Sequence, residues 1–158
     1  MRLIVAGSRW IPEGVALLIV DAAIRVHQLL PSELISGMAP GPDKAGATWA
    51  RARGVRVRAF WAQWAELGDA AGPERNERMA RAGSHLIAIW DGYSSGTADM
   101  IERARARRLW LRVLEVVPSP ATAARLDAER RAQHRRPLPA LRAVLTREPE
   151  RPRRERAA

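Results

Sequence analysis

The run Asp91-Gly92-Tyr93-Ser94-Ser95-Gly96-Thr97 places small hydroxyl side chains and glycines beside a carboxylate. Backbone amides and hydroxyls in such a run can surround an anion. The apolar run His85–Trp90 before it reads as a strand, and Ala98-Asp99-Met100-Ile101-Glu102-Arg103-Ala104 after it has helical spacing. The loop therefore stands at a strand's carboxyl end, where the first amides of a helix have no partner within the helix. Ser94, Ser95, Gly96 and Thr97 are expected to hold phosphate there, with Asp91 and Gly92 at the loop's mouth. The same residues fit the G-x-S-x-G pattern of a nucleophile elbow. A triad on Ser94 would have to draw its acid from Asp127 and its base from His134, both in a low-complexity tail. The phosphate reading is the simpler one.

Two further loops carry compatible chemistry. Gly7-Ser8-Arg9 follows a first apolar run, and Ser36-Gly37-Met38-Ala39-Pro40-Gly41-Pro42-Asp43 follows a second. Glycines allow a ligand close to the backbone, and Arg9 and Arg75 offer planar forks for phosphate or carboxylate. Gly7, Ser8 and Arg9 would contact one end of a ligand. Gly37, Met38 and Ala39 would form a second wall with Asp43, whose carboxylate either accepts ribose hydroxyls or caps its helix. Arg75 and Asn76 would approach from a neighbouring helix or subunit.

The elements that must position these loops alternate. Strands are expected at Arg2–Gly7, Glu33–Ser36, Arg56–Phe60, His85–Trp90 and Trp110–Val116. Helices are expected at Glu13–Leu30, Asp43–Arg53, Pro73–Ala82 and Thr97–Arg107. Parallel neighbours need crossover connections, so this order predicts an α/β, doubly wound and mostly parallel sheet. In such sheets ligands bind beyond the carboxyl ends of the strands, which is where all three loops fall.

Composition sets the outer bounds. The 158 residues suit one domain over residues 1–117 and an appendage over 118–158. Of a net charge of +10, residues 118–158 carry +6, with 11 basic and 5 acidic side chains. Ala121 to Arg136 has helical propensity, Leu141, Val144 and Leu145 offer a short docking face, and Glu148 to Ala158 has the composition of a disordered end. A basic tail of this kind raises nucleic acid as a partner. Against that, it is interleaved with acids and has no aromatic residue for stacking. No apolar run reaches membrane-spanning length, and Met1-Arg2-Leu3 leads directly into a strand pattern, so a cytoplasmic protein without a membrane partner is expected. There is no cysteine, and His27, His85 and His134 lack metal-ligand spacing, so no metal and no cofactor are expected. Trp10 is a candidate for the pocket rim. Trp61 and Trp64 suit either base stacking or packing, and Trp49, Trp90 and Trp110 read as core.

Gly7-Ser8-Arg9, the segment from Ser36 to Asp43, Ala71-Gly72-Pro73-Glu74-Arg75-Asn76-Glu77-Arg78-Met79 and the run from Trp90 to Thr97 resemble, in order and spacing, the YspA-like branch of the SLOG superfamily. The resemblance covers about residues 2 to 116. It implies a Rossmann-like fold that binds a nucleotide or nucleotide-derived ligand as a sensor or processing enzyme, and assembly as a homo-oligomer, dimer or tetramer. The related DprA proteins add nucleic-acid binding as an implied alternative. The related LOG phosphoribohydrolases carry a glutamate after their glycine-rich run, at a position that falls on Met100 here. Cleavage of an N-glycosidic or phosphate bond would then rest on Asp91 or Asp99 as acid or base. The branch usually has an arginine where this chain has Pro40, a contact that Arg9 or Lys44 would have to replace.

Overall fold

The computed structural model describes residues 1–132. The expected features at His134, Pro137 to Leu145 and Glu148 to Ala158 lie outside the described residues. Five strands form one sheet: β1 (Arg2–Gly7), β2 (Glu33–Ser36), β3 (Arg56–Ala59), β4 (His85–Trp90) and β5 (Trp110–Glu115). Their spatial order is β3-β2-β1-β4-β5 and every pairing is parallel. The connections are α1 (Glu13–Val26), α2 (Pro42–Arg51), α3 (Trp64–Leu67) leading through a 3-10 turn (Gly68–Ala70) into α4 (Ala71–Ala82), and α5 (Ser95–Ala106). The fold is thus α/β, Rossmann-like and doubly wound.

Residues alternate along the strands to fill two cores. Leu3 and Val5 of β1 and Ile87 and Ile89 of β4 pack under α1 and α2, against Val20, Ile24 and Trp49. Ile4 and Ala6, with Leu86, Ala88 and Trp90, face α4 and α5 on the other side, against Met79, Met100 and Ile101. Both faces of the central strands are buried, which accounts for their near-continuous apolar sequence.

The elements depart from the sequence pattern at a few ends. The first helix stops at Val26 rather than Leu30, because Gln28 takes a left-handed conformation, φ 51°, and its amide turns back to Arg25 O. The fourth begins at Ala71, two residues before Pro73, since the missing proline N–H costs nothing in a first turn. The short α3 and its 3-10 turn have no counterpart among the expected elements. Within the appendage, α6 spans Pro120–Ala132, and Ser119 Oγ accepts from Thr122 N at its start. Among the described residues no helix is long and apolar enough to cross a membrane.

Candidate functional site

The strand order reverses between β1 and β4: the chain leaves β1 toward β2 on one side and returns to β4 on the other. Loops leaving two such strands diverge and open a crevice at their carboxyl ends. A cavity of about 680 Å³ lies there. Ser8, Arg9 and Trp10 line it after β1, and Asp91, Ser94, Ser95, Gly96 and Asp99 line it after β4. Arg75 and Asn76 of α4 supply a third side. Trp64 and Asp69 face it from the α3 segment, and Leu126 and Glu129 from α6.

The loop after β4 is organised by Asp91. Its Oδ1 accepts the amides of Tyr93 (2.9 Å) and Ser94 (2.8 Å), and its Oδ2 accepts the indole N–H of Trp10 at 2.6 Å. Ser94 is the N-cap of α5: its Oγ accepts Thr97 N and the Thr97 hydroxyl, at 3.4 and 3.0 Å. The Trp90 indole donates to Ser94 O and pins the turn to the sheet. Ser8, fully buried, accepts Asp91 N at 3.2 Å through its Oγ, so the β1 and β4 loops are joined at their roots. Of the cradle read from the sequence, Ser94 and Thr97 are therefore engaged with one another, while Ser95 and Gly96 line the cavity. Thr97 is buried and turned toward Ser94, outside the cavity lining, and Gly92 also lies outside it.

The second loop stands behind Arg75. Ser36 Oγ donates to Asp43 O and accepts Met38 N, fixing a left-handed Met38. Asp43 does not cap α2, whose N-cap is Gly41. Instead Asp43 Oδ1 accepts Gly7 N at 3.3 Å. Its Oδ2 is buried without a hydrogen-bond partner, and so is Arg75 Nε. A Cβ on Gly37 would lie 2.6 Å from Arg75 Nη1 and 2.7 Å from Asp43 Oδ2, so only glycine fits between them. Burial pushes the Asp43 carboxyl up to about 6, against the opposing pull of the Arg75 guanidinium, the Gly7 and Ala39 amides and Arg9. Burial also lowers the Arg75 pKa. Arg75 Nη1 donates to Gly37 O and Nη2 to Asn76 Oδ1. Gly7, Gly37, Met38, Ala39 and Asp43 thus support the cavity through Arg75 and the β1 loop without lining it.

Asp99 lines the cavity with its Oδ2 held by Asn76 Nδ2 (2.8 Å) and Arg103 Nε (2.9 Å). Asn76 also donates to Gly96 O, tying α4 to the first turn of α5. Arg103 bridges on to Glu77, which also binds Arg81 and Arg107. Those bonds, Arg107's above all, hold Glu77 down at about 2. Asp91 is accordingly braced at both oxygens and Asp99 at its Oδ2. Sequence spacing placed both near the loop; the direction of their oxygens has no signature in it.

Of the aromatic candidates, Trp10 and Trp64 line the cavity, while Trp61 is exposed outside it. Leu126 and Glu129, absent from the sequence reading of the site, belong to a helix whose apolar positions are too few to mark a docking face. Among the described residues no group of His, Asp or Glu side chains is placed to hold a metal ion. In comparison with known proteins, the chain matches no family model, no curated protein and no solved structure.

Proposed function

We propose that the protein binds a nucleotide or nucleotide-derived small molecule at the carboxyl edge of its sheet, as a sensor or sequestering protein. The observation that carries this reading is the cavity of about 680 Å³ at the β1/β4 crevice, with two arginines and two indoles on its walls. Its size suits a nucleotide, Trp10 and Trp64 offer planar surfaces to a base, and Arg9 offers a cation to an anionic group. The resemblance of the loop motifs to the YspA-like branch supports the same ligand class.

Binding is favoured over turnover by the bracing of both candidate carboxylates. A general base must be able to take a proton from water or substrate, and Asp91 already accepts three hydrogen bonds. Native mass spectrometry of the full chain after incubation with a pool of nucleotides, dinucleotides, cyclic nucleotides and ADP-ribose derivatives tests this. Retention of an intact member with the pool unchanged is expected. Release of free base or ribose phosphate would replace the reading with a hydrolase using Asp99, and retention of none would remove it.

A further inference from the structure

The start of a helix that follows a glycine- and serine-rich loop ordinarily offers its amides to phosphate. Here a carboxylate of the chain itself takes the two amides just before the helix. Asp91, 5% exposed, receives the amides of Tyr93 and Ser94 on one oxygen and the Trp10 indole on the other. Ser94 Oγ takes the Thr97 amide. A phosphate brought to this loop would meet the fixed negative charge of Asp91 beside the first turn of α5. The surrounding wall adds to the repulsion, because Asp69, Asp99 and Glu129 line the same cavity.

Two arginines bring the complementary charge to the same cavity. Arg9 is exposed on the cavity wall, and among the described residues no carboxylate lies within ion-pair distance of it. Arg75 lies on the same cavity, its guanidinium held by Gly37 O and Asn76 Oδ1. An anion seated by Arg9 gains a charge-assisted contact with a cation that no carboxylate of the described residues already pairs.

We infer that the bound molecule lies with its anionic group on Arg9 and Arg75 and its hydrogen-bond donors, sugar hydroxyls or amino groups, toward Asp91 and Asp99. This inference rests on the nucleotide reading and adds an orientation and a charge class to it. The cavity accommodates one anionic group and disfavours a polyphosphate chain, because four carboxylates share its lining with the two arginines.

The test uses inorganic phosphate as the probe, read by backbone amide NMR on the full chain, so that it does not depend on which base the ligand carries. Millimolar phosphate is expected to shift the amides around Ser8, Arg9 and Trp10 and to leave those of Ser95, Gly96 and Thr97 in place. Arg9→Ala, at an exposed position that does not threaten folding, is expected to weaken phosphate about tenfold. Asp91→Asn is expected to bring the shifts to the start of α5. Phosphate shifting Ser95 to Thr97 in the unaltered protein, or shifting no amide at all, overturns the orientation. Adenosine, AMP and ATP titrations complete it: ATP binding more tightly than AMP overturns the charge class while leaving the nucleotide reading intact. Phosphate mapping to Arg9 when no pool nucleotide is retained removes that reading instead.

Discussion

Trp10 and Asp91, 81 residues apart in the chain, are joined by a 2.6 Å hydrogen bond from the indole N–H to Asp91 Oδ2. The bond spans the crevice between the β1 and β4 loops, so one contact sets both the position of an aromatic wall and the direction of a buried carboxylate. Trp10→Phe keeps an aromatic ring but withdraws the donor from a charge 5% exposed. The loss is expected to lower stability by about 1–3 kcal/mol, measured by urea unfolding. A change under about 0.5 kcal/mol would mean that the contact contributes nothing net.

The Asp43 carboxyl, pushed up to about 6 by burial, gives the protein a pH dependence of unusual sign. Between the unfolded value near 3.8 and about 6, the native state holds the proton more tightly than the unfolded chain. Stability therefore falls as pH rises through this window, by an amount on the order of 3 kcal/mol. His85, lowered by burial, adds an opposite slope near its ordinary range. Glu77, held at about 2, contributes stability that is lost as pH falls below about 4.5. Asp43→Asn leaves the last two in place, so the difference between the two stability profiles isolates Asp43. Parallel profiles from pH 4 to 7 would reassign the slope.

Gly37 and Gly7 are predicted to be intolerant of a methyl group for steric reasons that can be separated from helix propensity. A Cβ at Gly7 would stand 2.3 Å from Ile89 O and 2.6 Å from Pro42 Cγ, and one at Gly37 would press on Arg75 and Asp43. Gly14, at the start of α1, has nothing within 4 Å of the same atom. Gly7→Ala and Gly37→Ala are expected to cost about 1–3 kcal/mol or more, and Gly14→Ala to be neutral or stabilising by up to about 1 kcal/mol. Thermal unfolding of the three variants measures the contrast. Gly37→Ala is also expected to weaken ligand binding, because it displaces the guanidinium that faces the cavity.

The three central strands were legible because they are buried on both faces and bounded by glycine and proline. Runs such as Leu86-Ile87-Ala88-Ile89 have no other comfortable reading in an alternating chain. The crevice followed from topology, since the loops after the first and fourth strands must diverge where the order reverses. What spacing did not disclose was side-chain direction. Asp91 falls at the mouth of a phosphate-like loop in the sequence; only the folded chain turns its carboxylate onto the loop's own amides. Asp43 reads as either a ribose acceptor or a helix cap, yet Gly41 takes the N-cap position and Asp43 reaches back to Gly7. The α6 wall was illegible for a different reason, because Leu126 is a single large apolar residue in an alanine- and arginine-rich stretch.

That wall leads to the last prediction. Among the described residues neither core contains a side chain of α6, so the burial of the sheet and of α1 to α5 seen there does not rest on it. Removing residues 118–158 deletes Leu126 and Glu129 from the cavity lining and leaves the loops after β1 and β4 intact. The truncated protein is expected to keep its unfolding midpoint within a few degrees, as a change of about 1 kcal/mol or less requires. Its cavity is open on one side, so a ligand retained by the full chain is expected to dissociate faster, measured by displacement with Trp10 and Trp64 fluorescence as the signal. Leu126→Ala should reproduce part of that increase, because it removes the apolar contact alone. Glu129→Gln tests the charge of the same wall: removing a carboxylate from it is expected to slow the release of an anionic ligand. An off-rate unchanged in all three would show that α6 does not close the site, even though the fold had been retained.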